Sequence, residues 1–208
     1  MKHPVRAAWL ASSALFLASP VRAQGVYWAW AFEPSVPLGP VRNAVSNASP
    51  AGASFGVRYL FERSWSLGIG GHWAEFAQNY SKATYAIEDG AITGAAYRRV
   101  WTVSLLAEAH VYLAPDETVS PYLGFGAGAS WMKSEVLVTD LTIGDLVHGF
   151  AVSPEAGLVI AFDRDMFTPE RSAMQSVVTG VRCTFSTAGS RDVSHTSFVG
   201  LTVGMLVY

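Results

Sequence analysis

His195 and Ser197 stand two apart in His195-Thr196-Ser197, a spacing at which an imidazole and a hydroxyl could act as base and nucleophile. Such a dyad needs a carboxylate to orient the imidazole, and no Asp or Glu follows Ser197, so no catalytic residue is assigned. His72, His110 and His148 fall on three different predicted strands, and nothing in their spacing makes them converge on a metal. Asp140, Asp145, Asp163 and Asp165 lack the spacing of a calcium loop. Gly68-Ile69-Gly70-Gly71 and Gly124-Phe125-Gly126 would cradle a phosphate only by opening a helix, and neither does. The remaining candidates are Glu33, Arg58, Glu62, Arg98, Glu108, His110, Glu155 and Arg182, charges of both signs on the polar faces of period-two segments. Buried charges persist only when paired and hydrogen-bonded, so these predict a structural network, with no cofactor and no metal.

Eight period-two segments would carry them, at residues 25–37, 50–62, 65–77, 96–113, 120–137, 147–163, 174–187 and 195–208. Phe55, Val57, Tyr59 and Phe61 share one face of the second, against Ser54, Gly56, Arg58 and Glu62. The fifth sets Leu123, Phe125, Ala127 and Trp131 against Gly124, Gly126, Gly128 and Ser130. Pro154 interrupts the apolar face of the sixth, where its missing N–H predicts a bulge. Short connections at residues 63–64, 114–119 and 164–173 alternate with breaks at 38–49, 78–95, 138–146 and 188–194, which predicts turns on one rim and four loops on the other.

The chain has 208 residues, half of them apolar and 14% charged, with 19 glycines, a composition that favours a single all-β domain. Lys2 and Arg6, the apolar run Ala7 to Ala18 and Val21-Arg22-Ala23 read as a cleaved export signal over residues 1–23, leaving 24–208 as the barrel domain. Its removal takes three basic residues and moves the formal charge from −2 to −5, which argues against nucleic acid as a partner. Cys183 is the only cysteine, so no internal disulfide can form.

Which face is wet is decided by glycine and tryptophan. Gly56, Gly68, Gly70, Gly124, Gly126, Gly128, Gly157, Gly180, Gly200 and Gly204 lie on the polar side, where a water-facing exterior would gain nothing from them and a narrow lumen would. Trp28, Trp30, Trp65, Trp73, Trp101 and Trp131 lie on the apolar side, as expected of aromatics at lipid interfaces. The expected fold is therefore an eight-stranded antiparallel up-and-down transmembrane β-barrel.

Pro121-Tyr122-Leu123-Gly124-Phe125-Gly126-Ala127-Gly128-Ala129, the stretch from Phe150 to Phe162 and the terminal aromatic Tyr208 resemble the small outer-membrane β-barrel proteins of the OmpA, OmpX and opacity-protein group. The last strand departs from that pattern, because Gly204 and Thr202 share the parity of Tyr208. The resemblance implies a bacterial outer-membrane location, contact with outer-membrane lipids and lipopolysaccharide, and recognition of the C-terminal strand by the barrel-assembly machinery. A non-enzymatic envelope or surface role follows, with a possible surface ligand at loops such as 79–82 and 139–142. The alternatives are a narrow pore or binder of small hydrophobic solutes, and a lipid A-modifying enzyme. For the last, His195 and Ser197 resemble the lipid A deacylase dyad, but Phe198 replaces the Asn expected after the serine.

Overall fold

The computed structural model describes residues 23–61, 64–87, 90–138, 141–162, 175–190 and 193–207. Residues 1–22, Glu62, Tyr208 and the expected turn at 164–173 lie outside them. The strands are β1 (Ala23–Phe32), β2 (Ser35–Leu38), β3 (Gly52–Phe61), β4 (Trp65–Ile87), β5 (Gly90–Tyr112), β6 (Val119–Val138), β7 (Leu141–Ala161), β8 (Gln175–Ser186) and β9 (Thr196–Val207). A short helix α1 (Gly39–Ala44) follows β2. β1 pairs antiparallel with β3, each strand from β3 to β8 pairs antiparallel with the next, and β1 and β2 together close the sheet onto β9.

The registers fix the barrel's shape. From Gly25 the partners run through Leu60, Ser66, His110, Gly124, Glu155, Arg182 and Gly200 to Ser35, so one circuit returns ten residues further along the first strand. With strand spacings of about 3.3 Å along and 4.8 Å across, that shear gives a tilt of about 41° and a backbone radius of about 8 Å. Each residue then climbs about 2.5 Å along the axis, and the interior has room for side chains only.

Side-chain parity follows from this wall. Phe125 is 52% exposed on the outside, whereas Glu108 is 5% exposed on the inside. Glycine makes the inside possible, since a Cβ on Gly70 would stand 2.6 Å from the Glu108 carboxyl carbon and one on Gly124 would stand 2.6 Å from the His110 ring.

The ends differ from the sequence expectation. Within the expected breaks at 78–95 and 138–146, all the described residues are strand: β4 and β5 pair as far as Ile87 with Gly90, and β6 and β7 as far as Val138 with Leu141. Apolar alternation fades there because both faces meet water, while backbone pairing continues across cross-strand contacts such as Thr84 with Thr93, hydroxyl to hydroxyl at 2.9 Å. Two of the four expected loops are thus hairpin extensions, with a register shift between Tyr80 and Ala83. Residues 25–37 divide at Glu33-Pro34 into β1 and β2, and the 38–49 break contains α1, with Gly39 at φ +51° and proline in its first turn.

Pro154 produces no bulge. The β7–β8 register is the same at Val152–Phe185 and Glu155–Arg182, and only the rungs at Ser153 and Pro154 are missing. Proline lacks the donor, and the Ser153 and Thr184 hydroxyls meet at 3.1 Å in place of backbone bonding.

Candidate functional site: the charged layer inside the barrel

Three layers fill the lumen. Toward the short-turn rim, Tyr27, Leu60, Tyr112, Tyr122, Val159, Val178 and Leu206 pack into an apolar floor. Toward the hairpin rim, Val41, Ala44 and Val45 from α1 and its C-cap, with Ala188 and Val193, press down on Phe76, Val100, Met132 and Phe198 of the wall to form a lid. Between them lie Glu33, Arg58, His72, Glu108, His110, Glu155 and Arg182, all buried.

Glu108 is the hub of the charged layer. Its Oε2 accepts from Arg58 Nη2 at 2.9 Å and Nε at 3.2 Å, and its Oε1 lies 2.7 Å from His72 Nε2 and 3.6 Å from Arg182 Nη1. Arg182 donates through Nη2 to Glu155 Oε2, and its Nη1 lies 3.5 Å from Glu33 Oε1. His72 Nδ1 is 3.6 Å from Glu33 Oε2, and His110 Nε2 is 3.6 Å from Glu155 Oε2. Tyr122 donates its hydroxyl to Glu155, and Thr202 donates to Glu33 at 3.3 Å, so each carboxylate has at least two partners. Three carboxylates face two guanidiniums, and His72, which bridges Glu108 and Glu33, is the group placed to offset the remainder.

The layer encloses a void of only about 10 Å³, between Arg58, His72, Glu108, Glu155, Arg182 and Thr202, which is the room of a single water. Of the charges proposed from sequence, Glu33, Arg58, Glu108, His110, Glu155 and Arg182 meet here, and Glu62 lies outside the described residues. Arg98 faces the same side of β5 but lies beyond Val100, half-buried at the level of the lid. His72 was missed as a member, although it shares the parity of Gly68 and Gly70 on β4. The lid was also missed, although Phe76, Val100 and Met132 break the polar-inside rule at one rim.

His195 and Ser197 do not engage each other. Ser197 donates to the Leu38 carbonyl at 3.2 Å, and His195 Nδ1 lies 3.3 Å from the Ser194 hydroxyl. His148 is exposed on the outer face of β7, away from His72 and His110.

All six indoles among the described residues face outward. Trp65 lies at the short-turn end of β4, while Trp73, Trp101 and Trp131 lie on adjacent strands toward the other rim. Trp28 and Trp30 are in register, through Val57 and Phe55, with Ile69 and Gly71, and the strand tilt sets them about 6 Å nearer the short-turn rim than those residues. The outward positions from Trp65 to Trp73 on β4, Val111 to Trp101 on β5 and Val119 to Trp131 on β6 carry no charge. The ten residues from Trp65 to Glu75, the first outward charge on β4, span about 25 Å of height, the thickness of an outer-membrane apolar band. This is an outer-membrane β-barrel.

The chain is similar to several solved structures, and the first of these shares its architecture. Neisserial surface protein A is 13% identical, with a TM-score of 0.55 over 88% of this chain and 98% of its own. Ail of Yersinia pestis is 17% identical, with a TM-score of 0.42 over 87% and 96%. The N-terminal β-barrel domain of Pseudomonas aeruginosa OprF is 14% identical, with a TM-score of 0.42 over 89% and 99%. No family model matches the chain, and no curated protein matches it in sequence.

Proposed function

We propose that the protein is a non-enzymatic outer-membrane barrel, closed to bulk flow, that holds a surface-exposed β-sheet for contact with external partners. The observation that carries this reading is the continuation of β4 to β7 beyond a lumen filled by floor, charged layer and lid. Beyond Ala74, β4 meets the segment before β3 only through the Glu75 N–H, which donates to the Ala51 carbonyl, and the Ala77 carbonyl, which accepts from Asn47, and residues 141–149 of β7 have no rung with β8 among the described residues. The sheet therefore leaves the barrel with two largely unpaired edges, and exposed backbone donors and acceptors of this kind pair with an extended chain. From Glu75 to Ile87 it rises about 30 Å, so those edges stand clear of the membrane surface.

The test uses cells lacking the protein, complemented with the intact chain or with one in which a short turn replaces residues 81–95. The shortened barrel should fold, show the same heat-dependent gel shift and restore detergent resistance, while losing attachment of cells to protein-coated surfaces. Full attachment by the shortened chain, or steady single-channel steps from the intact one, would refute the proposal.

A further inference from the structure

The wall is interrupted on both sides of the β8–β9 hairpin. Within the hairpin the rungs run unbroken from Gln175–Val207 to Ser186–Thr196. Against β7 the rungs at Ser153 and Pro154 are missing between Val152–Phe185 and Glu155–Arg182, and against β1 and β2 those at Glu33 and Pro34 are missing between Phe32–Val203 and Ser35–Gly200. The register is the same above and below each gap, and at each a proline stands where the ladder needs a donor. One backbone bond crosses the second gap, from the Leu201 N–H to the Pro34 carbonyl at 2.9 Å.

Side chains take over where the rungs fail. Ser153 and Thr184 meet hydroxyl to hydroxyl at 3.1 Å across the first gap, and Thr202 donates to Glu33 at 3.3 Å across the second. Arg182 is the only charge on β8 and β9, and it reaches over both gaps: Nη2 donates to Glu155, next to Pro154, and Nη1 lies 3.5 Å from Glu33, next to Pro34. A carboxylate thus flanks each proline, and one guanidinium on the hairpin holds both. On the outside Val181, Phe185, Leu201 and Val203 are about half exposed, so it is lipid that borders this part of the wall.

We propose that β8–β9 is a lateral gate in the barrel wall, latched from inside by Arg182. Local opening follows the seams with the fewest bonds, and a hairpin paired without interruption within itself parts from its neighbours as one piece. In hydrocarbon no water replaces a lost backbone bond, so a seam that already lacks two rungs has less to lose on parting than an intact one. Releasing Arg182 frees both sides together, because the same guanidinium serves both carboxylates. The motion runs sideways through the wall, so the inference rests on the membrane placement of the barrel and is independent of the role proposed for the β4–β7 sheet.

The test puts a reporter thiol on the inner side of the wall, in the mature chain carrying Cys183→Ser and refolded into phosphatidylcholine nanodiscs. Ser153→Cys reports on the first gap, and Ser104→Cys on the unbroken β5–β6 seam. The two substitutions are alike, since both serines are buried and each belongs to an inward hydroxyl pair at 3.1 Å. A lipid-soluble maleimide should label Ser153→Cys about tenfold faster than Ser104→Cys, with the heat-dependent gel shift confirming a folded barrel in each sample. Adding Arg182→Gln should raise the Ser153→Cys rate about tenfold further and leave the Ser104→Cys rate unchanged. Pro154→Val restores the missing donor, should slow labelling of Ser153→Cys about fivefold, and decides the matter if Arg182→Gln does not fold. Equal labelling of the two thiols, an equal rise at both with Arg182→Gln, or no slowing with Pro154→Val would overturn the proposal.

Discussion

Replacing Glu108 by Gln should destabilise the barrel by about 3–5 kcal/mol, because it removes one partner of a buried ion pair and leaves the other charged. The substitution keeps the side-chain volume in the space that Gly70 leaves open, so no cavity term enters. The loss is electrostatic. Arg58 keeps its full charge but faces a neutral amide where two N–H donors met a carboxylate at 2.9 and 3.2 Å. The amide also turns one donor toward either Arg58 or His72, since only one of its two termini accepts. At about 1.4 kcal/mol per decade the folding equilibrium falls by roughly two to four orders of magnitude. Guanidinium titration of the refolded barrel in micelles, read by the heat-dependent gel shift, measures it. Arg58→Gln with Glu108→Gln should lose clearly less than the two single losses added, because neither partner is then orphaned. A Glu108→Gln loss under about 1 kcal/mol, or strict additivity in the double variant, would show that the charged layer does not act as a unit.

Other consequences can be checked in the same preparation. Gly70→Ala should cost about 1–3 kcal/mol, since its Cβ would stand 2.6 Å from the Glu108 carboxyl carbon and the wall leaves that side chain little room to retreat; the denaturation midpoint reports it. Phe76→Ala should cost about 3–5 kcal/mol by emptying the lid, yet planar-bilayer recordings should stay silent because the charged layer and floor remain. Cys183 faces outward, level with Pro154, so in nanodiscs a lipid-soluble maleimide should label it and a charged thiosulfonate should not; rapid labelling by the charged reagent would mean that this face meets water.

Strand parity was legible because the wall separates two environments for about 25 Å, and alternate residues record which one they meet. Phe55, Val57 and Tyr59 against Gly56 and Arg58 are such a record. The signal fails above the membrane, where Asn79, Ser81, Thr84 and Thr93 belong to strands with water on both faces, so the extended hairpins read as loops. Helix α1 was hidden for another reason: six residues are too few to display a period, and its apolar Val41 and Ala44 are explained only by the barrel mouth they fill.

Membership of the charged layer was mostly legible, but its pairing was not, and the reason is geometric. Arg58 and Glu108 lie on β3 and β5 with β4 between them, and the register brings Gly68 beside both Arg58 and Glu108. A residue without a side chain at that crossing lets the guanidinium and the carboxylate meet over the top of the intervening strand. The pair is therefore specified by a shear of ten residues together with a glycine at the crossing, and neither residue's own neighbourhood in sequence contains that information. Arg182 on β8 reaches Glu33 and Glu108 across the lumen for the same reason, since an interior about 8 Å in radius brings side chains from opposite walls within hydrogen-bonding range. A strand register changed by one residue would turn Glu108 toward lipid, so the requirement to pair these charges inside excludes every odd slip of the register.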